Sequence, residues 1–256
     1  MTKRLLVLGS PVGHSLSPQI HEAAIRDLGL DATYEAMEVD ASGMARVARE
    51  IRRGAFLGAN ITMPHKALAA ELADELDPSA IAVDAVNTWV VQEGRIVGHS
   101  TDADGVAHAW AKGKLPGDGP VVILGAGGAS RAALHALSET HDVWMSARRP
   151  DAMEAFVFAG AKGFIPWGST VPSAVVVNAT PLGMAGEPLP EGVLDDAGGY
   201  FEMVYSTLTA AEQAANARGL PVAKGVDMLV GQAMASFRLW FGLEPRENVM
   251  VSALTP

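Results

Sequence analysis

A lysine placed where a helix should begin is the first residue that could do chemistry. It closes the stretch Asn60-Ile61-Thr62-Met63-Pro64-His65-Lys66. An apolar strand over 57–61 runs into a turn at Pro64, and Lys66 falls in the first turn of a helix expected over 66–76. The positive end of the helix dipole opposes a cation there. Such a lysine should release its proton more readily than a free one. Asn60 and Thr62 beside it can bond hydroxyls, and the group suits proton transfer to a polyol or keto acid. A surface lysine whose stem lies along the protein after a turn would give the same pattern.

A second chemical signal is Gly125-Ala126-Gly127-Gly128-Ala129-Ser130-Arg131. It follows the apolar run Val121–Leu124 and opens a helix expected to reach about Glu139. Gly125 permits a tight turn, and Gly127 lets backbone approach a pyrophosphate. The helix N-terminus then offers unpaired N–H groups to the phosphate charge. Ser130 stands where G-x-G-x-x-G/A has its third small residue. About 20 residues on, the end of the next strand carries Ser146-Ala147-Arg148-Arg149 and no acid. An acid there would hold the ribose 2′-OH of NAD, whereas arginines suit the 2′-phosphate of NADP. A tight turn in another α/β fold and a solvated arginine pair are the non-functional readings. No G-x-x-x-x-G-K-[ST] is present, so a P-loop hydrolase is not supported.

The elements that must position these groups alternate between strand and helix, which predicts an α/β protein. Strands are expected at 4–9, 33–39, 57–61, 88–92, 121–124, 142–146, 173–178 and 200–204. Helices are expected at 17–28, 42–53, from 66, from 128, from Asp151, from Thr209, and over 228–241. Ser17-Pro18 reads as an N-cap with proline at the first helical position, and Gly29 as the stop. Lys112–Pro120 reads as a linker. The nearly apolar helix over 228–241 reads as packing back on the first part of the chain or bridging the two.

Composition narrows the function classes. The 256 residues allow two domains, 49% are hydrophobic, and there is no cysteine. Disulfides and thiolate metal sites are thereby excluded. The seven histidines form no H-x-x-x-H or H-E-x-x-H pair, so no metal is expected. A net charge of −10 argues against nucleic-acid binding. No run of 18 apolar residues suggests a membrane span. A soluble cytoplasmic enzyme, monomer or homodimer, is expected.

Taken together, the motifs resemble the shikimate dehydrogenase family over nearly the whole chain. Gly9 to Pro18 resembles its substrate loop, in which Ser15 and Ser17 would bind the substrate carboxylate. Asn60 to Lys66 matches the stretch with the catalytic lysine, and Ala85-Val86-Asn87-Thr88 matches A-V-N-T, whose Asn contacts substrate hydroxyls. Thr101-Asp102 matches the segment whose Asp partners the lysine. Asn178 to Met184, with Thr180, matches a segment beside the cofactor. Tyr205 matches a substrate-site tyrosine, and Met228 to Ala233 a returning segment in which Gln232 binds substrate. The resemblance thus implies Lys66 and Asp102 as catalytic residues. Ser15, Ser17, Asn60, Thr62, Asn87, Tyr205 and Gln232 would bind substrate. Gly125, Ala126, Gly127, Gly128, Ala129, Ser130, Ala147, Arg148, Arg149, Thr180, Met203, Gly225 and Met228 would bind cofactor. Ser236, four residues after Gln232, extends its polar face.

The implied activity is reversible reduction of 3-dehydroshikimate to shikimate by NADPH. The implied architecture is two α/β domains flanking a cleft. Residues 1–103 plus 227–256 would form the substrate domain, and 104–226 a Rossmann-type NADP domain. Three positions depart from the family pattern. Ser100 replaces an Asn, Ala147-Arg148-Arg149-Pro150 replaces Asn-Arg-Thr, and Glu202 replaces an Asp before Met-x-Tyr. The second leaves the strength of the NADP preference open. Competing readings are a quinate/shikimate dehydrogenase using NAD or both cofactors, and a methylenetetrahydrofolate dehydrogenase. The latter has no reason to carry the paired serines and A-V-N-T. A non-catalytic dinucleotide sensor has no need of Lys66 and Asp102.

Overall fold

The computed structural model describes residues 2–148, 156–157, 159–205 and 207–254. The chain forms two compact units, divided at Thr101/Asp102 and again at Gly231/Gln232. The first unit therefore stops before Asp102, and the chain rejoins it inside a helix rather than at residue 227.

The first unit holds β1 (Lys3–Gly9), α1 (Ser17–Asp27), β2 (Ala32–Glu38), α2 (Ala41–Arg52), β3 (Gly58–Ile61), α3 (Lys66–Leu72), β4 (Glu75–Leu76), α4 (Pro78–Val83), β5 (Thr88–Gln92) and β6 (Arg95–His99). Its sheet order is β2-β1-β3-β5-β6-β4. β1 runs parallel to β2 and β3, while β5 is antiparallel to both β3 and β6. Leu6, Leu8, Met44, Val47, Ile51, Ala59, Ile61 and Trp89 form its core.

Three expectations need correction here. The helix from Lys66 ends at Leu72, not 76. The Asp74 carboxylate accepts the Ile96 N–H at 2.8 Å and pairs with Arg52 at 2.9 Å, which pins the following residues to the sheet edge as β4. Second, Ser17 is not the cap of α1. Leu16 is already in the right-handed helical region, so Ser17 is the first helical residue. Its N–H donates to Ser15 Oγ at 3.3 Å. Third, Lys112–Pro120 is not a linker between domains. Leu115 is buried, and Trp110 Nε1 donates to the Pro116 carbonyl at 2.8 Å. A Cβ on Gly113 would lie 2.7 Å from Ala223 Cα, so the turn is packed against backbone.

The second unit holds α5 (Asp102–Lys112), β7 (Pro120–Leu124), α6 (Gly128–Leu137), β8 (Asp142–Ser146), β9 (Gly163–Ile165), β10 (Val175–Asn178), β11 (Gly199–Glu202), α7 (Ala210–Ala217) and β12 (Val222–Lys224). The helix expected from Asp151 begins outside the described residues. The sheet is parallel throughout, in the order β12-β11-β10-β7-β8-β9. Renumbered within the unit this is 3-2-1-4-5-6, the dinucleotide-binding order, with its switch point between β7 and β10. Val121 and Ile123 face one core while Val122 and Leu124 face another. Burial on both faces explains why β7 reads as a continuous apolar run.

The last helices are α8 (Gly225–Phe241) and α9 (Glu247–Ser252). Residues Gly225–Gly231 of α8 belong to the second unit, and those from Gln232 to the first. No helix among the described residues is long and apolar enough to cross a membrane.

One buried side chain gives the first unit a pH-dependent stability. His21 on α1 is fully buried, stacked on Tyr34 with centroids 4.3 Å apart. Neither ring nitrogen has a hydrogen-bond partner. Burial pushes its pKa down from 6.5 to about 3, with the nearby Asn60 side chain opposing that shift only in part. The unfolded chain therefore binds a proton that the folded chain refuses. Stability is full above about pH 6.5 and falls as pH drops toward 3. Between pH 7 and 5 this group alone should cost about 2 kcal/mol. Urea unfolding at the two pH values should show that loss in the wild type and a clearly smaller one in His21→Phe.

Candidate active site

The sequence-predicted substrate residues of the first unit collect at the end of its sheet where β1 and β3 finish and the antiparallel β5 begins. Several backbone bonds bring them there. Ser10 N–H donates to the Met63 carbonyl at 3.2 Å, tying the loop after β1 to the turn after β3. Gly9 must lack a side chain, because a Cβ there would lie 2.5 Å from Thr62 Cγ2. Thr62 N–H donates to Leu8 O at 2.9 Å, and Ile61 N–H to Asn87 O at 2.7 Å. Val86 N–H donates to Lys66 O at 3.2 Å. The segments that carry Ser15 and Ser17, Thr62 and Lys66, and Asn87 are thus tied together by backbone bonds.

Lys66 is the first residue of α3 and is half-buried. His65 before it is buried, with Nε2 2.7 Å from the Val39 carbonyl, and so fixes the loop. Asn87 has its side chain locked. Its Oδ1 accepts Thr101 N–H at 2.9 Å and Thr88 O–H at 2.8 Å, and its Nδ2 donates to Thr101 Oγ1 at 3.0 Å. Asn60 is only 5% exposed, and both ends of its amide are engaged inside the protein. Tyr34 O–H donates to its Oδ1 at 2.7 Å, while Nδ2 faces Thr88 and Ser236 at 3.0 Å each and Asn87 O at 3.2 Å. That geometry makes Asn60 a brace between β2, β3, β5 and α8. Tyr34 is silent in the sequence as a site element, since an aromatic residue in a strand ordinarily reads as packing.

The second unit gathers most of the predicted cofactor residues at its switch point. Gly125 has φ +109°, and a Cβ on it would meet the Ala179 carbonyl at 3.0 Å and Thr180 Cγ2 at 3.1 Å. Gly127 and Gly128 are exposed, and a Cβ on either would touch nothing. That leaves open space in front of the ten-residue helix α6, where a phosphate can approach backbone N–H groups. Ser130 is fully buried, and its Oγ accepts the Gly127 N–H at 3.3 Å. The third small position therefore braces the loop. At the end of β8, Ser146 Oγ donates to Pro166 O and accepts Gly168 N–H, both at 3.1 Å. Arg148 beyond it is exposed, with Cζ 5.9 Å from the Trp167 ring centre. Arg149 lies outside the described residues. The loop, its open glycines and an exposed arginine at the second strand end fit a phosphorylated dinucleotide.

Glu202 is the residue that reading the sequence undervalued. It is fully buried at the end of β11. Four donors surround its carboxylate: Asn178 Nδ2 at 2.9 Å, Tyr200 O–H at 2.6 Å, Val204 N–H at 3.0 Å and Thr209 O–H at 2.7 Å. Asn178 Oδ1 in turn accepts the Thr180 hydroxyl at 2.6 Å. One carboxylate therefore fixes both the Asn178–Thr180 turn and the Met203–Tyr205 segment. Gly225 closes on the same segment, because a Cβ there would lie 2.5 Å from the Met203 carbonyl. Burial and the Glu202 charge together push the Tyr200 phenol far up. Tyr205, by contrast, is 39% exposed.

Two family models match the chain, the shikimate dehydrogenase substrate binding domain over residues 7–89 and the shikimate 5'-dehydrogenase C-terminal domain over 225–255. A shikimate dehydrogenase (NADP(+)) of Thermus thermophilus is 39% identical, over 98% of this chain and 97% of its own. The crystal structure of a shikimate 5-dehydrogenase from Thermus thermophilus, in complex with NADP(H) and shikimate, superposes with a TM-score of 0.92 at 38% identity, covering 98% of each chain. The ligand-free 5-ketofructose reductase of a Gluconobacter strain reaches 0.90 at 26% identity, over 99% of this chain and 98% of its own. A similar fold thus serves a differently named reductase, and substrate must be argued from site residues.

Replacing Glu202 by Gln keeps the shape but turns one oxygen into a donor, facing either Tyr200 and Thr209 or Asn178 and Val204. Chemical unfolding of Glu202→Gln should show a loss of about 2–4 kcal/mol.

Proposed function

The chain belongs to the shikimate dehydrogenase family, and we propose that it catalyses the reversible, NADP-dependent interconversion of 3-dehydroshikimate and shikimate. The observation that carries this reading is the joining of the loop that leads to Ser15 and Ser17, the Thr62–Lys66 turn and the Val86–Asn87 segment by backbone hydrogen bonds. Hydroxyl, amide and ammonium groups in that combination suit a small hydroxylated carboxylate.

Ser15 and Ser17, at the start of α1, bind the carboxylate. Thr62, Asn87, Tyr205 and Gln232 bind hydroxyls, and the side chain of Asn87 is held in one orientation for that purpose. Asn60 supports Asn87 and Thr88 from beneath. Lys66 and Asp102 work as a pair at the ketone oxygen. The ammonium stabilises the negative charge that develops there and supplies the proton, and the carboxylate orients it. In the other direction the pair receives the proton of the substrate hydroxyl. NADP, when bound, gives or takes the hydride. The residues that would hold it are the Gly125–Ser130 loop, Ala147, Arg148, Arg149 and Thr180, with Met203, Gly225 and Met228. A cytoplasmic setting accords with a chain that has no cysteine.

Turnover is read from nicotinamide absorbance with shikimate, then with quinate, then with NAD in place of NADP. Lys66→Ala and Asp102→Asn should each lower kcat by about 10² or more. The double variant should be little worse than the worse single one. Near-normal turnover in Lys66→Ala would remove the lysine from the mechanism.

Arg148→Ala should raise the NADP KM roughly ten- to hundredfold, the worth of a bidentate arginine–phosphate contact, while the NAD KM stays nearly constant. Equal use of NAD and NADP by the wild type would instead favour the quinate/shikimate reading.

A further inference from the structure

Ser236 is a fully buried hydroxyl among the apolar residues Ala233, Ala235 and Phe237 of α8. A buried hydroxyl costs stability unless it is bonded, and this one has four polar neighbours. Its Oγ lies 3.0 Å from the Gln232 carbonyl, 3.0 Å from Asn60 Nδ2, 2.9 Å from Thr88 Oγ1 and 3.1 Å from Thr101 Oγ1. A serine has one hydrogen and two lone pairs, so the directions of these bonds are constrained.

The carbonyl can only accept, so the Ser236 O–H donates to Gln232. The Ser236 lone pairs then receive Asn60 N–H and the Thr101 O–H. Thr101 Oγ1, having given its hydrogen, accepts Asn87 Nδ2–H at 3.0 Å. Asn87 Oδ1 accepts Thr88 O–H and Thr101 N–H, and Thr88 Oγ1 accepts Asn60 N–H at 3.0 Å. This assignment gives every hydroxyl hydrogen in the chain an acceptor, and the Thr101 hydrogen has a second, longer option in Asn87 Oδ1 at 3.3 Å. The chain runs from the side-chain amide of Asn87 through Thr101 and Ser236 to the backbone of Gln232. Its two ends are residues to which the proposed function gives the substrate.

We infer that Ser236 is a positioning residue for substrate recognition: by accepting the Thr101 hydroxyl and bonding the Gln232 carbonyl, it fixes the side-chain amide of Asn87 and the first turn of α8 in this unit relative to each other. This rests on the proposed function, because it concerns how those residues meet shikimate. An alanine at 236 leaves the Thr101 hydroxyl only the longer contact to Asn87 Oδ1 at 3.3 Å, and Asn60 with one acceptor fewer. The Asn87 amide keeps the backbone N–H of Thr101 but loses the link that relates it to Gln232.

The test uses the full-length protein with shikimate and NADP+ as probes. Both KM values are measured, together with the shikimate Kd by titration calorimetry. Ser236→Ala should raise the shikimate KM and Kd about tenfold, with the NADP+ KM within about twofold of wild type. Thr101→Val, nearly isosteric, should do the same, and the double variant little more, since both break one chain. Ile51→Val, in the apolar core of the same unit, controls for stability: it should lower the unfolding midpoint and leave the shikimate Kd unchanged. An unchanged shikimate Kd in Ser236→Ala overturns the inference. So does an NADP+ KM that rises in parallel, or a shikimate Kd in Ile51→Val that rises as much. Should Ser236→Ala fail to fold, Thr101→Val decides by the same criteria. A wild type that binds no shikimate sinks the proposed function, and this inference with it. A wild type that binds shikimate, with variants that bind equally well, sinks this inference alone.

Discussion

The first unit depends on one asparagine being satisfied from all sides. Asn87 accepts the Ile61 N–H on its backbone, donates its own N–H to His99, and takes Thr101 N–H on its side chain. It thereby joins β3, β5, β6 and the segment after β6 at one point. Backbone and side-chain bonds of this kind have little net value singly, but leaving a buried partner unmade is costly. The joint is therefore all-or-none. Loops that would otherwise move independently are held at fixed spacing, which is what recognition of a small polyhydroxylated acid requires.

The second unit solves the opposite problem with absence. Gly125 takes a φ that L side chains rarely adopt, and Gly127 and Gly128 leave the approach to α6 open. What keeps this empty region in shape is buried polar bonding on either side. Ser130 lies beneath the loop, and Glu202 lies behind the Asn178–Thr180 turn. Glu202 reaches donors on β10, β11, the following segment and the cap of α7 at once. The longer side chain, where the family pattern has aspartate, matches the spread of those four donors.

The sequence made the chemistry-bearing positions legible because they depend on residue type. Glycines that permit a turn, a lysine in the first turn of a helix and arginines at a strand end each carry a local physical reason. The apolar run of β7 was readable for the same cause. Edges were not. β4, β9 and β12 are two or three residues long and exist because a neighbouring strand offers hydrogen bonds, which no local pattern encodes. Asp74 reads as a helix residue until Ile96 is seen beside it. The bracing role of Asn60 is not legible until Tyr34, 26 residues away in the chain, is seen to bond its oxygen. The cap of α1 slipped for a subtler reason, since Leu16, which has no capping side chain, is already in the helical region and makes Ser17 the first helical residue.

The three tyrosines have been sorted by the fold into two silent residues and one reporter. Tyr34 and Tyr200 are at most 2% exposed, and burial drives both phenols far above their ordinary range. Neither can reach the phenolate on which nitration and ultraviolet titration rely while the protein stays folded. Tyr205 is the most exposed of the three, at the end of the segment that Glu202 holds, although burial raises its phenol as well. The native protein therefore carries one solvent-accessible tyrosine, already installed where substrate is proposed to bind, and its loss of reactivity on adding ligand reads occupancy without any turnover.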